Sequence, residues 1–120
     1  MTTTANPQAL ATSDREMDLS QALAHLGRMN LLAISGGRYR RTVGPETGRL
    51  LALELPVSSG YAVRITLAAN DTYTVQRVMR RGAKTWVKGT ETNVYCDDLG
   101  ETCYQASCYK SNPFGGVEPR

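Results

Sequence analysis

Two stretches in the middle of the chain alternate apolar and polar residues with a period of two. Leu51, Leu53, Leu55 and Val57 alternate with Ala52, Glu54 and Pro56, and Tyr61, Val63, Ile65 and Leu67 alternate with Ala62, Arg64 and Thr66. That period is the mark of a strand with one apolar face. Ser58-Ser59-Gly60 separates the two runs as a short turn, so an antiparallel hairpin is expected. Asn70-Asp71 marks the next reversal, before a strand from Thr72 to Arg80, and Arg81-Gly82-Ala83-Lys84 marks another, before Thr85 to Thr92. The pattern predicts a meander.

On either side the period lengthens to that of a helix. Asp18 can cap a helix whose stripe is Leu19, Ala22, Leu23 and Leu26, with Gln21 placed to reach back as in a capping box. Gly27 weakens that helix, and Leu31 to Ile34 reads as the start of a strand that bends at Gly36-Gly37. Near the other end, Leu99, Thr102, Cys103 and Ala106 share one helical face, and Asp97, Asp98 and Glu101 occupy the first turn, where the helix dipole favours acids. The expected fold is α+β: an antiparallel β-meander of about four to five strands flanked by an N-terminal and a C-terminal helix, which must cover its apolar face. A single domain is expected over residues 15–110, with flexible tails at 1–14 and 111–120.

A chain of 120 residues with 41 % apolar content can bury one core. Its longest apolar runs, Leu31 to Ile34 and Leu50 to Leu53, fall far short of the ~20 residues a membrane span needs. The first residues carry neither the basic end nor the apolar stretch of a secretory leader, so a soluble, cytoplasmic protein is expected. Three cysteines between positions 96 and 108 are an odd set, and helical spacing keeps Cys96, Cys103 and Cys108 too far apart to bridge within one helix. Reduced thiols are the simpler reading.

Little in the sequence suggests bond-making chemistry. His25 is the single histidine and sits at the flank of the first apolar stripe, with no nucleophile near it in sequence. The cysteines lack the close pairs of a structural zinc site. Gly36-Gly37 is followed by no phosphate-loop pattern, and Asp97, Asp98 and Glu101 are explained by their place at a helix start. No enzyme activity, cofactor or metal is expected.

Charge is more informative. The net charge is only +3, but Arg77, Arg80, Arg81, Lys84 and Lys88 form a stretch without an acid, while Glu91, Asp97, Asp98 and Glu101 follow without a base. One basic face and one acidic face are expected. Trp86 and Tyr73 interleave with the cations, the mixture a nucleic acid contact uses, because cations neutralise phosphates and aromatic faces stack on bases. Arg38, Arg40 and Arg41 make a second basic cluster. On a strand, the same cations can also serve simply to keep a sheet from associating edge to edge.

Three stretches carry a resemblance: His25 to Gly37, Leu53 to Tyr73, and Val94-Tyr95-Cys96-Asp97-Asp98-Leu99. Together, across about residues 18–109, they resemble a widespread group of small uncharacterised proteins encoded by bacteriophages and prophage-like elements, of the actinobacterial-phage type. The shared motifs are turns and core positions, so the resemblance implies a fold and a phage context and assigns no site residue. The expected function is therefore a non-catalytic accessory protein that binds DNA or RNA through Arg77, Arg80, Arg81, Lys84, Trp86 and Lys88. The alternative is a protein-binding module that inhibits a host defence or housekeeping complex by surface complementarity.

Overall fold

A computed structural model of the chain describes residues 10–115. Helices α1 (Leu19–Leu26) and α2 (Arg28–Ser35) precede strands β1 (Arg40–Val43), β2 (Leu50–Pro56), β3 (Tyr61–Leu67), β4 (Tyr73–Arg81) and β5 (Lys84–Val94). A 3-10 turn at Cys96–Asp98 then leads into α3 (Leu99–Ser107). The strands form one antiparallel sheet in the order β1-β2-β3-β4-β5, the meander and flanking helices that the alternation predicts. Among the described residues no helix is long and apolar enough to cross a membrane.

Local chemistry accounts for most of the boundaries. The Asp18 carboxylate accepts from the Gln21 amide at 3.1 Å and starts α1. Leu31 to Ile34, expected as a strand, lies inside α2 instead. Gly27 (φ +91°) turns the chain between the two helices rather than ending helical structure. Gly36, in the left-handed region, closes α2: its amide donates to the Leu32 carbonyl and that of Gly37 to Leu31. The paired glycines are thus a helix stop and not a strand bend. The remaining strand is Arg40–Val43, a short, exposed edge.

The hairpin between β2 and β3 closes through Ser59 (φ +56°) and Gly60 (φ +83°), with the Tyr61 amide donating to Ser58 and the Val57 amide to Tyr61. A Cβ at Gly60 would strike the Arg80 carbonyl, and the Arg80 amide donates to the Gly60 carbonyl at 2.9 Å. The turn is therefore seated against the end of β4.

Leu53, Leu55, Val63, Ile65 and Val75 project from one sheet face and pack with Ala22, Leu26, Ile34, Leu99, Cys103 and Ala106 of the three helices. The opposite face, which the sequence leaves to solvent, is also covered: Ala52, Glu54, Ala62, Arg64, Thr66 and Gln76 are all buried. Part of the cover comes from a segment assigned to the N-terminal tail. The Ser13 amide donates to the Leu51 carbonyl, the Asp14 amide to Leu67, and the Leu67 amide to Ser13 Oγ. Phe114, placed in the C-terminal tail, is buried as well, and Gly89 lies so close to its carbonyl that a Cβ there would clash. The rest of the expected tails, residues 1–9 and 116–120, lies outside the described residues.

Arg77 departs furthest from its expected place. It is 2 % exposed and sits on the helix side of the sheet, opposite Val63. Its Nε donates to the Ala106 carbonyl at 2.7 Å and its Nη2 to the Gln105 carbonyl at 3.0 Å, capping the C-terminal end of α3, while Phe114 lies over the guanidinium at 5.5 Å. An interior cation satisfied in this way belongs to the core, and Arg77 leaves the candidate basic surface. Replacing it by Met should strand the interior Ala106 carbonyl, while that of Gln105 keeps the Cys108 amide at 3.1 Å, and cost roughly 1–3 kcal/mol in chemical denaturation, net of the relief from no longer burying a charge. An unchanged denaturation midpoint would refute the capping role.

Candidate functional site

The inter-strand registers align five polar residues in one row across the covered face. Arg40 on β1 lies opposite Glu54 on β2, Glu54 opposite Arg64 on β3, Arg64 opposite Gln76 on β4, and Gln76 opposite Thr90 on β5. The Glu54 carboxylate is the centre of this row. Arg64 Nη1 donates to its Oε2 at 2.7 Å, while Arg80 forks onto both oxygens at 2.6 and 2.7 Å. Arg40 approaches Oε1 at 3.8 Å, close enough to feel the charge but not to donate.

The interior part of the row is tied to the covering segment. Arg64 Nε donates to the Ala11 carbonyl at 2.8 Å, and the Ala11 amide donates to Gln76 Oε1 at 2.9 Å. Gln76 Nε2 in turn donates to Thr90 Oγ1 at 3.1 Å.

Burial pushes the Glu54 carboxyl up, yet hydrogen bonds from Arg80 and Arg64 and the charges of both guanidiniums outweigh it and hold the group below its usual range. Arg80 shows the complementary effect: its bond to Glu54 raises it, against the opposing pull of burial.

The predicted cations therefore divide. Arg77 is interior, and Arg80 lies on the opposite sheet face in the Glu54 cluster. Arg81 and Lys84 pair across the β4–β5 turn and are exposed, and Trp86, half-buried opposite Met79, lines a hollow with Ala83, Lys84 and Thr85. Lys88 is half-buried in a stretch where the register with β4 shifts. In the second cluster Arg38 Nε donates to the Ser35 carbonyl at 3.3 Å, Arg41 is exposed, and Arg40 joins Arg80 through their shared carboxylate.

Although the expected single basic face does not form, four of the predicted cations, Arg40, Arg80, Arg81 and Lys84, do collect at one end of the sheet. In a meander the β2–β3 and β4–β5 turns fall at the same end of the sheet, and Arg40, opposite Glu54 near the end of β2, lies there too. The β3–β4 turn and the exit of β5 fall at the other end, with Asp71, Asp97 and Asp98. Tyr73 reports that environment: it is pushed up to about 12, first by burial and then by negative charge at Cys96, Asp71 and Asp18. Its hydroxyl meets His25 Nδ1 at 2.8 Å, which explains that histidine as a partner of a core tyrosine. Of the thiols, Cys103 is interior and raised by burial, while Cys96 is exposed because it precedes α3 in the 3-10 turn. No cluster of His, Cys, Asp or Glu suited to a metal occurs among the described residues.

Sequence reasoning missed Glu54, Arg64 and Gln76. The signal was available in part, because the register of the β2–β3 hairpin sets a carboxylate opposite a guanidinium. No family model matches the chain, and no match to a curated protein or to a solved structure was found.

Because the folded carboxyl of Glu54 titrates below its unfolded value, the cluster's stabilisation is complete above the unfolded range near ~4.3 and is lost as pH falls through the folded value. Glu54→Gln should cost about 3–5 kcal/mol at neutral pH, since it leaves guanidiniums without their counter-charge. The gap between variant and parent should narrow as both are acidified below pH ~4, read from denaturation midpoints across pH. A gap constant with pH would show that the carboxylate is not the charge that holds the cluster.

Proposed function

We propose that this protein is a non-catalytic accessory protein of a phage or mobile element that binds nucleic acid through the basic end of its sheet. The observation that carries the reading is the convergence of two clusters remote in sequence: Arg40 and Arg80 reach the same carboxylate, with Arg81 and Lys84 exposed at the neighbouring turn. These four cations at one end, and Asp97 and Asp98 at the other, orient the chain in the field of a polyanion, and counterion release supplies affinity without base readout. Trp86 beside Lys84 offers part of an aromatic surface to an unstacked base. The phage context rests on the resemblance of the three stretches described above.

A second reading, a protein-binding module that blocks a host defence or housekeeping complex, draws on a different surface. Met29 (76 % exposed), Leu32 (46 %) and Ala33 stand on the outer side of α2, spaced as one helical stripe. Apolar side chains exposed in this way are characteristic of contact surfaces.

The two readings separate by mutation. Arg81→Glu with Lys84→Glu leaves the Glu54 cluster intact, so the fold should survive while the slope of log affinity against log salt for an oligonucleotide falls by about 2. Met29→Asp with Leu32→Asp should leave that slope unchanged. An oligonucleotide affinity that ignores both salt and the Arg81/Lys84 pair would eliminate the nucleic-acid reading.

A further inference from the structure

A cavity of about 250 Å³ opens at the basic end, lined by Arg40, Pro56, Val57, Ser58, Gly60, Tyr61 and Arg80. It is open to solvent and roomy enough to admit a phosphate group. The ion cluster behind it is unbalanced in charge. Three guanidiniums, Arg40, Arg64 and Arg80, surround the single Glu54 carboxylate, and among the described residues no other carboxylate lies within 4.0 Å of them. Three positive charges against one negative leave a surplus of two.

That surplus falls on the two cations that line the cavity. The buried Arg64 and Glu54 side chains, 5 % and 6 % exposed, cancel each other, so the excess lies on Arg80 and Arg40 at the mouth of the cavity, 35 % and 62 % exposed. Two of the five Arg80 N–H groups are spent on Glu54, which locks the plane of its guanidinium and leaves other donors. Arg40, 62 % exposed and beyond hydrogen-bond reach of Glu54, keeps its donors for an incoming anion. The turn at Ser58 to Gly60 forms another wall and is itself bonded to Arg80.

We infer that this cavity binds a terminal phosphate, a phosphomonoester dianion, held between Arg40 and Arg80. A group carrying about −1.5 to −2 charges at pH 7 matches the surplus, whereas a phosphodiester within a nucleic acid strand carries one. Pro56 and Val57 provide an apolar wall for the ester carbon. The inference builds on the nucleic-acid reading, in that the phosphate would be the 5′ end of a strand, but the same chemistry could come from a free phosphate.

The test uses the full chain and three probes: a single-stranded oligonucleotide with a 5′-phosphate, the same strand with a 5′-hydroxyl, and inorganic phosphate followed by backbone NMR. The phosphorylated strand should bind about tenfold tighter or more, as one or two charge-assisted hydrogen bonds imply. Arg40→Gln, at an exposed edge position, should erase that preference without lowering the denaturation midpoint. Phosphate alone should shift the amides of Ser58, Ser59, Gly60 and Arg80. If phosphate produces those shifts while neither strand binds, the cavity assignment is supported with a small phosphomonoester as its ligand, and the nucleic-acid reading is lost. If both strands bind equally and phosphate shifts none of these amides, the terminal-phosphate site is overturned while the nucleic-acid reading stands.

Discussion

The Glu54 carboxylate is the interaction on which the covered side of the sheet depends. It brings one negative charge into a largely buried row, and cations from three other strands lie around it. Taking any of these groups from water is costly, and the cost is offset only where the geometry is close and the remaining donors are used. Here Arg80 forks onto the carboxylate, Arg64 divides its donors between Glu54 and the Ala11 carbonyl, and Gln76 and Thr90 complete the row. The strip at residues 11–14 can lie over a polar sheet face because that face presents oriented donors and acceptors to its backbone.

The same arrangement decides where charge appears on the surface. Successive turns of an antiparallel meander alternate between the two ends of the sheet, so a basic segment and an acidic segment adjacent in sequence are carried to opposite ends. The stretch from Arg80 to Lys84 spans one turn, while Asp97 and Asp98 follow β5 past the far end. The molecule gains an electrostatic axis along its strands. Arg77 is the exception that marks the core: one strand position inside the basic run faces the helices, and there its guanidinium serves the carbonyls at the end of α3 instead of a ligand.

Where a feature depended on neighbours in sequence, it was legible. The alternation of Leu53, Leu55, Val63 and Ile65, the Asp18 cap and the turns at Ser58 to Gly60, Asn70-Asp71 and Gly82-Ala83 all appear where local chemistry places them. The errors arose where one local pattern serves two structures. A short apolar run before two glycines suits a strand that bends or a helix that stops, and Leu26, Ile34 and Leu99 resolve it by meeting in one core. The basic site was legible only in outline, since composition reveals cations but not whether a strand position faces helix, solvent or another charge.

Period, capping and turn chemistry by themselves determined the class of fold and the order of its elements apart from α2, because each is an interaction between residues only a few positions apart. The partners of Arg77, Glu54, Arg40 and Arg80 were decided by the tertiary structure alone. Those contacts join residues far apart in the chain, and a guanidinium has the reach to choose among several acceptors. Which one it finds depends on how the packed sheet, its covering strip and the end of α3 exclude water around it.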